Sequence, residues 1–258
     1  TGLMQNGWAI TVMGARTWGD GYIQGTNFEG YNYFANISKR INENHQLSLT
    51  AFGAPQEHYQ RSSGLTMKEW NNVRKYMKDG MHFSRYNPTY GYDDNGNQNS
   101  ANYNVYHKPQ ISLNHIWQID HKSSWSTTAY VSLGRGYGRT AEPGLNSSYS
   151  YTDLTYGANY GTLSQTFRRA DGTFDYGAVM WANNPDNPIY DPSSDQYEKM
   201  YAGSQLVICE NRNDHNWYGL TSTYSNKFAD MFDFYAGIDV RYYQGKHNAT
   251  ISNLLGGD

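Results

Sequence analysis

The sequence predicts an all-β chain: an antiparallel transmembrane β-barrel segment carrying long extracellular loops. Short stretches alternate apolar and polar residues with period two, the pattern of strands with one oily and one polar face. Their connections fall into two kinds, tight polar turns at 42–45, 120–124 and 227–230 and excursions at about 55–109 and 135–213. Loops beyond about 15 residues are uncommon in an ordinary soluble domain. Short turns at one end of the strands and long loops at the other belong to a membrane barrel.

The composition agrees. Charged residues are only 17% of the chain while aromatics reach 16%, so its mean hydropathy of -0.83 does not come from the high charge and aromatic poverty of a disordered segment. No run approaches the roughly 18 apolar residues of a membrane-crossing helix. A net charge of -3, without a basic stripe, gives no reason to expect nucleic acid. Cys209 cannot form an internal disulfide, and its neighbours Leu206, Val207 and Ile208 predict a buried thiol. The N-terminal residues show no signal-peptide pattern.

The first strand is predicted at about 7–19, followed by a loop at about 20–30 and a hairpin of strands 31–41 and 46–54. One face of this hairpin carries Tyr33, Ala35, Ile37, Leu47, Leu49 and Ala51, and the other carries Asn36, Ser38, Arg40, Ser48, Thr50 and Phe52. After the 55–109 loop come strands 110–120 and 124–134, where Ile111, Leu113, Trp117, Trp125, Ala129, Val131 and Leu133 mark the oily side; His115 and Ile116 interrupt the alternation. After the 135–213 loop, strand 214–226 is weakly patterned, with Tyr218 and Leu220 as its apolar markers. Strand 231–243 is the cleanest, with Phe232, Phe234, Ala236, Ile238, Val240 and Tyr242 alternating with polar neighbours.

A closed barrel is the only sheet that crosses lipid without orphaned backbone groups, and about ten tilted residues suffice per crossing. The oily faces would meet outer-membrane lipid. Asn36, Ser38, Arg40, Asp233, Asp239 and Arg241 would face a lumen or a plug within it. Trp117, Trp125, Phe228 and Phe232 flank short turns where an interfacial aromatic girdle belongs.

At "NGWAITVMGARTWGDGY" and "FEGYNYFANISKRINENHQLSLTAFGAPQEH" the sequence resembles TonB-dependent outer-membrane receptors of the Bacteroidota type, most specifically over residues 1–60. The resemblance implies a barrel of about 22 strands around an N-terminal plug and import of a scarce or bulky nutrient, driven by the TonB energy-transducing complex acting through the plug. Plug, TonB box and terminal aromatic strand have no counterpart here, so the chain is read as an internal portion of the barrel domain, not a transporter by itself. A surface lipoprotein is a possible further partner.

The long loops hold the candidate ligand-binding residues. "TMKEWNNVRKYMKDG" predicts a short helix with a Thr66/Glu69 capping box, an apolar stripe of Trp70, Val73 and Met77, and Gly80 as a stop. The stripe reads first as packing; Trp70 could alternatively cover a ligand or a lipoprotein. "YGYDDNGNQNS" offers Tyr90, Tyr92 and Asp93, with Asp94, Asn95 and Asn97 as oxygen donors at a spacing that only partly matches a calcium loop and reads better as a polar turn. "NNPDNPIYDPSSDQY", a series of proline turns, reads first as a structural loop; with Trp181, Tyr190 and Tyr197 nearby, it could alternatively display aromatic platforms to a sugar or other ligand. Scattered histidines and the lack of any nucleophile or phosphate-loop motif predict no enzyme, metal site or cofactor. The alternatives are a secreted β-sandwich that binds glycans, with its oily faces buried against each other, and a passive porin.

Overall fold

In a computed structural model, the described residues are 2–61, 64–78, 80–144, 161–187, 189–191, 196–198, 204–228 and 231–257. The chain is mostly antiparallel sheet, and no helix among these residues is long and apolar enough to cross a membrane.

The strands follow the sequence in space. β1 (Trp8–Gly19) pairs with β2 (Phe28–Arg40), and β2 pairs with both β3 (His45–Gly53) and β4 (Gln56–Tyr59). After an excursion that holds short strands β5 (Tyr90–Tyr92) and β6 (Gln98–Ser100), β7 (Tyr103–His107) pairs with β4, and β8 (Gln110–Gln118) pairs with β3. Both β7 and β8 pair with β9 (Ser123–Pro143). The register passes from Tyr33↔Gly53 to Gly30↔Gln56, and from Phe52↔Gln110 to Gln56↔Tyr106, without an inserted residue. β3 with β4, and β7 with β8, are therefore each one long strand interrupted at Pro55 and Pro109. Each proline withholds an N–H, but its carbonyl still accepts, from the Tyr31 N–H at 2.9 Å and the Leu133 N–H at 3.3 Å. The meander ends with β9 pairing the later strand Leu206–Phe228, which pairs with Phe232–Asn253.

Shared register makes the two faces continuous. Ile10, Ile37, Leu49, Leu113, Ala129, Leu220 and Val240 form one row across the whole sheet, and the next row runs through Val12, Ala35, Ala51, Ile111, Val131, Tyr218 and Tyr242. His115 belongs to this oily face with Leu113, and Ile116 falls on the polar one. The short-turn ends are progressively staggered: Arg40 lies three residues beyond Ile37, Gln118 five beyond Leu113 and Phe228 eight beyond Leu220.

The sheet is longer than the alternation suggests. The loop expected at 20–30 covers 20–27, the one at 55–109 is strand as far as Tyr59 and again from Tyr103, and the one at 135–213 begins after Pro143 and ends before Leu206. The strands expected at 124–134, 214–226 and 231–243 extend to Ser123–Pro143, Leu206–Phe228 and Phe232–Asn253. Beyond the oily band polar residues and glycines occupy both faces of β9 and β13 until the apolar run Leu206–Cys209, so period two fades although the backbone ladder, which needs no side chain, continues.

The excursions build a cap at the long end of the sheet. β10 (Phe174–Asp175) runs parallel to β5, α2 (Tyr176–Asn183) follows it and packs beside β5, and α1 (Met67–Asn72) precedes β5 in the first excursion. β11 (Ile189–Asp191) and β12 (Gln196–Glu198) make a separate ladder, and the two long closing strands Leu206–Phe228 and Phe232–Asn253 are β13 and β14. One buried cluster joins Phe174, Tyr176 and Val179 of the cap to Ala141, Leu206, Ile208 and Leu255 at the sheet end; another gathers Leu65, Val73 and Tyr86. The Arg168 guanidinium ties segments together by donating to Ser164 O, Pro88 O, Gly172 O and the Tyr86 hydroxyl at 2.8–3.0 Å.

Candidate functional site

Strand alternation places Asn36, Ser38, Arg40, Asp233, Asp239 and Arg241 on one face of the sheet, opposite the oily rows. Neighbouring polar side chains on this face satisfy each other. Asn36 Nδ2 donates to Thr50 Oγ1 at 2.8 Å, and Thr128 Oγ1 to Asn114 Oδ1 at 2.9 Å.

Toward β13 and β14 the same face carries an aromatic group that the sequence reading missed. Trp217 meets Tyr130 and Tyr243 edge to face, each at 6.1 Å between centroids, and His215 lies tilted against Tyr243 at 5.7 Å. The Arg241 guanidinium sits 5.9 Å over Trp217 while its Nε and Nη2 grip both oxygens of Asp239 at 2.8 and 2.6 Å. Two glycines make room: a Cβ on Gly219 would come within 2.2 Å of the Tyr130 ring, and one on Gly134 within 2.2 Å of His215. The signal was present in the sequence, because the parity that makes Tyr218 and Leu220 oily puts Trp217 on the polar face, where water alone explains no tryptophan. Ring faces beside a carboxylate-held guanidinium can stack on a planar or sugar ligand and hydrogen-bond its polar edge.

Among the described residues, the loop candidates sit on separate elements. Trp70 is half-buried on α1, packs toward Val73 and Phe83, and lies 4.9 Å beneath Arg61. Thr66 caps this helix by accepting from the Glu69 N–H at 3.3 Å. Tyr90 and Tyr92 share a hydroxyl–hydroxyl hydrogen bond, and the Tyr90 ring covers Gly25, whose φ of +62° lets the 20–27 loop turn beneath it. Asp93 closes the β5–β6 turn by accepting from the Asn95 and Asn97 backbone N–H groups and the Asn97 side chain. The Asn97 side chain first, then its backbone N–H, holds the Asp93 carboxyl below its ordinary range. Trp181 is 55% exposed on α2. Tyr190 and Tyr197 are register partners in the β11–β12 ladder, and their side chains lie outside the described residues.

Around the base of α2, burial pushes the Asp175 carboxyl up, but Arg169 at 3.0 Å and the N–H of Ala178 outweigh it, leaving the group below its usual range. Among the described residues, no group of three His, Cys, Asp or Glu side chains converges to hold a metal. No protein-family model, curated protein or solved structure matches the chain.

Proposed function

We propose that the chain is an arc of a larger outer-membrane β-barrel, part of a TonB-dependent receptor that captures a scarce or bulky nutrient for import into the periplasm. The carrying observation is the oily face itself. Its rows cross seven strand positions without interruption, and Leu49, Leu113 and Val240 remain 47, 49 and 58% exposed. Strands about 4.8 Å apart make this band about 30 Å wide, and with several rows it exceeds the few hundred Å² that a soluble monomer ordinarily leaves open. Among the described residues nothing covers it, since the cap packs on the strand ends. A soluble sandwich would require a second sheet there.

Two further features support a barrel. The stagger of the short turns is what strand tilt and shear produce in a closed sheet. β1 and β14 each have one open edge among the described strands, and in lipid those edges require neighbouring strands. At about 3.3 Å per residue the 22 residues of β14 extend about 70 Å. Even with a tilt near 45° this exceeds a hydrocarbon core of about 30 Å, so the upper halves of β9, β13 and β14 stand outside with the cap.

In this reading the short turns are periplasmic and the cap is extracellular. The polar face, with Arg40, Asp233, Asp239 and the Trp217–Arg241 group, lines the lumen and touches the plug or the passing substrate. The TonB complex acts through that plug, which is not among these residues, and a surface lipoprotein could close the extracellular side.

The test is to locate the native polypeptide with an antibody to residues 183–197 on fractionated cells, with and without boiling before electrophoresis. A heat-modifiable outer-membrane band well above 29.5 kDa is expected. A soluble band near that mass, unaffected by boiling, would overturn the reading.

A further inference from the structure

Immediately above the oily band, on the same face, the chemistry changes within one row. On β9, Val131 and Leu133 give way to Arg135 and Tyr137. His107 pairs with Arg135 in the first row, and Val105, Tyr137 and Arg212 lie side by side in the next. Between them runs an open groove of about 490 Å³, which Tyr31 closes at its other side.

The cations in this groove are held but not buried by carboxylates. Arg135 donates to Gly134 O, His215 O and Asn216 Oδ1 at 2.7–2.9 Å, and Asp214 beside it turns one oxygen to the Gly136 N–H at 3.2 Å. Arg212 stacks 5.4 Å over Tyr137 and pairs with Glu210 through Nη1 at 3.0 Å. Arg135 and Arg212 are diagonal neighbours across the β9–β13 ladder, about 7–8 Å apart at the backbone, a span that one phosphate can bridge. The acidic residues Glu29 and Glu57 line the far end and already have partners, Glu29 in Arg16 and Tyr31, and Glu57 in the Tyr103 hydroxyl at 2.7 Å.

Resting on the barrel reading above, we propose that this groove seats the phosphorylated head group of an outer-leaflet glycolipid. The phosphate lies between Arg135 and Arg212, a sugar ring packs on Tyr137, and the acyl chains descend over Val131, Ile111 and Ala35. Continuity with the oily rows sets the depth, guanidinium forks suit phosphate oxygens, and an aromatic face suits the apolar side of a sugar.

The test uses the complete membrane polypeptide that contains this chain, purified in detergent and titrated by native mass spectrometry. The probes are lipid A, a phosphorylated diglucosamine lipid, and the same lipid with its phosphates removed. The phosphorylated lipid is expected to bind about tenfold more tightly. Arg135→Gln combined with Arg212→Gln should abolish that preference, with heat-modifiability retained as proof of folding, while Lys227→Gln at the short-turn end leaves it intact. Equal affinity for the two lipids in a detergent-dependent, heat-modifiable protein overturns the groove assignment alone, as does a preference that survives the double substitution. A polypeptide that is soluble without detergent overturns the barrel reading and this proposal together.

Discussion

The Tyr33 hydroxyl reaches across β3 to His107 Nε2, 2.9 Å away on the next strand over, because Gly53 leaves the surface between them bare. A Cβ on Gly53 would lie 2.4 Å from that hydroxyl and 2.8 Å from the imidazole. Gly53→Ala should therefore displace Tyr33 and cost about 1–3 kcal/mol by overpacking. Gly14→Ala, in the same row with nothing within 4 Å, should not. Denaturant midpoints of the two variants in the assembled barrel provide the check, and equal midpoints would contradict the arrangement.

Leu49 and Thr50 are consecutive but face opposite ways: Leu49 sits in the central oily row, and Thr50 accepts the Asn36 amide. Leu49→Arg or Ile238→Arg should cost about 2–4 kcal/mol at mid-membrane, with Thr50→Arg milder. Equal tolerance of all three in a barrel-assembly assay would refute the lipid-facing assignment.

Asn183, only 2% exposed, donates to the carbonyls of Leu206, Leu254 and Leu255 and accepts from the Gln205 N–H at 2.8 Å. It fastens α2 to the start of β13 and to the residues after β14. Asn183→Ala strands several buried backbone groups and should cost on the order of 3 kcal/mol. Amide exchange should accelerate around 205–206 and 254–255 while remaining slow in β13 near Leu220.

Asp175 and Asp93 have folded-state carboxyls below their ordinary range, so the unfolded cap binds protons more readily than the folded one. Their stabilisation is full above the unfolded carboxylate value, about 3.9, and is lost as pH falls through the lower folded values. Exchange protection of residues 167–180 should hold from pH 7 to about 5 and decline below about 4. Asp175→Asn should flatten that decline; an unchanged profile would count against the Arg169–Asp175 contact.

Cys209 is a free, buried thiol on β13, and burial, followed by the charge of Glu142, raises it above the usual thiol range. Maleimide labelling should be slow in the folded protein and rapid after denaturation. Rapid labelling under native conditions would show that this end of the sheet opens.

Much of the sheet was legible because two-sided strands write period two into the sequence. The hairpin at Ile37 and Leu49 and the closing strand through Ile238 and Val240 follow it closely. The pattern failed at Arg135, Tyr137 and Arg139, where alternation with glycines resembles a loop, and at Pro55 and Pro109, which read as strand ends. Of the site, the polar face was legible from parity. The Tyr130–Trp217–Arg241 group was not, since its members come from three strands and meet only through the register of β9, β13 and β14.

The sequence by itself determined which residues share a face, because strand geometry sends neighbours to opposite sides. Only the tertiary structure decided which strands lie beside one another across the long excursions and how all of them are staggered, and hence that the oily residues form unbroken rows and that Tyr33 finds His107 over Gly53. Those are properties of interstrand hydrogen-bond register, and a register between distant segments leaves no mark within either one.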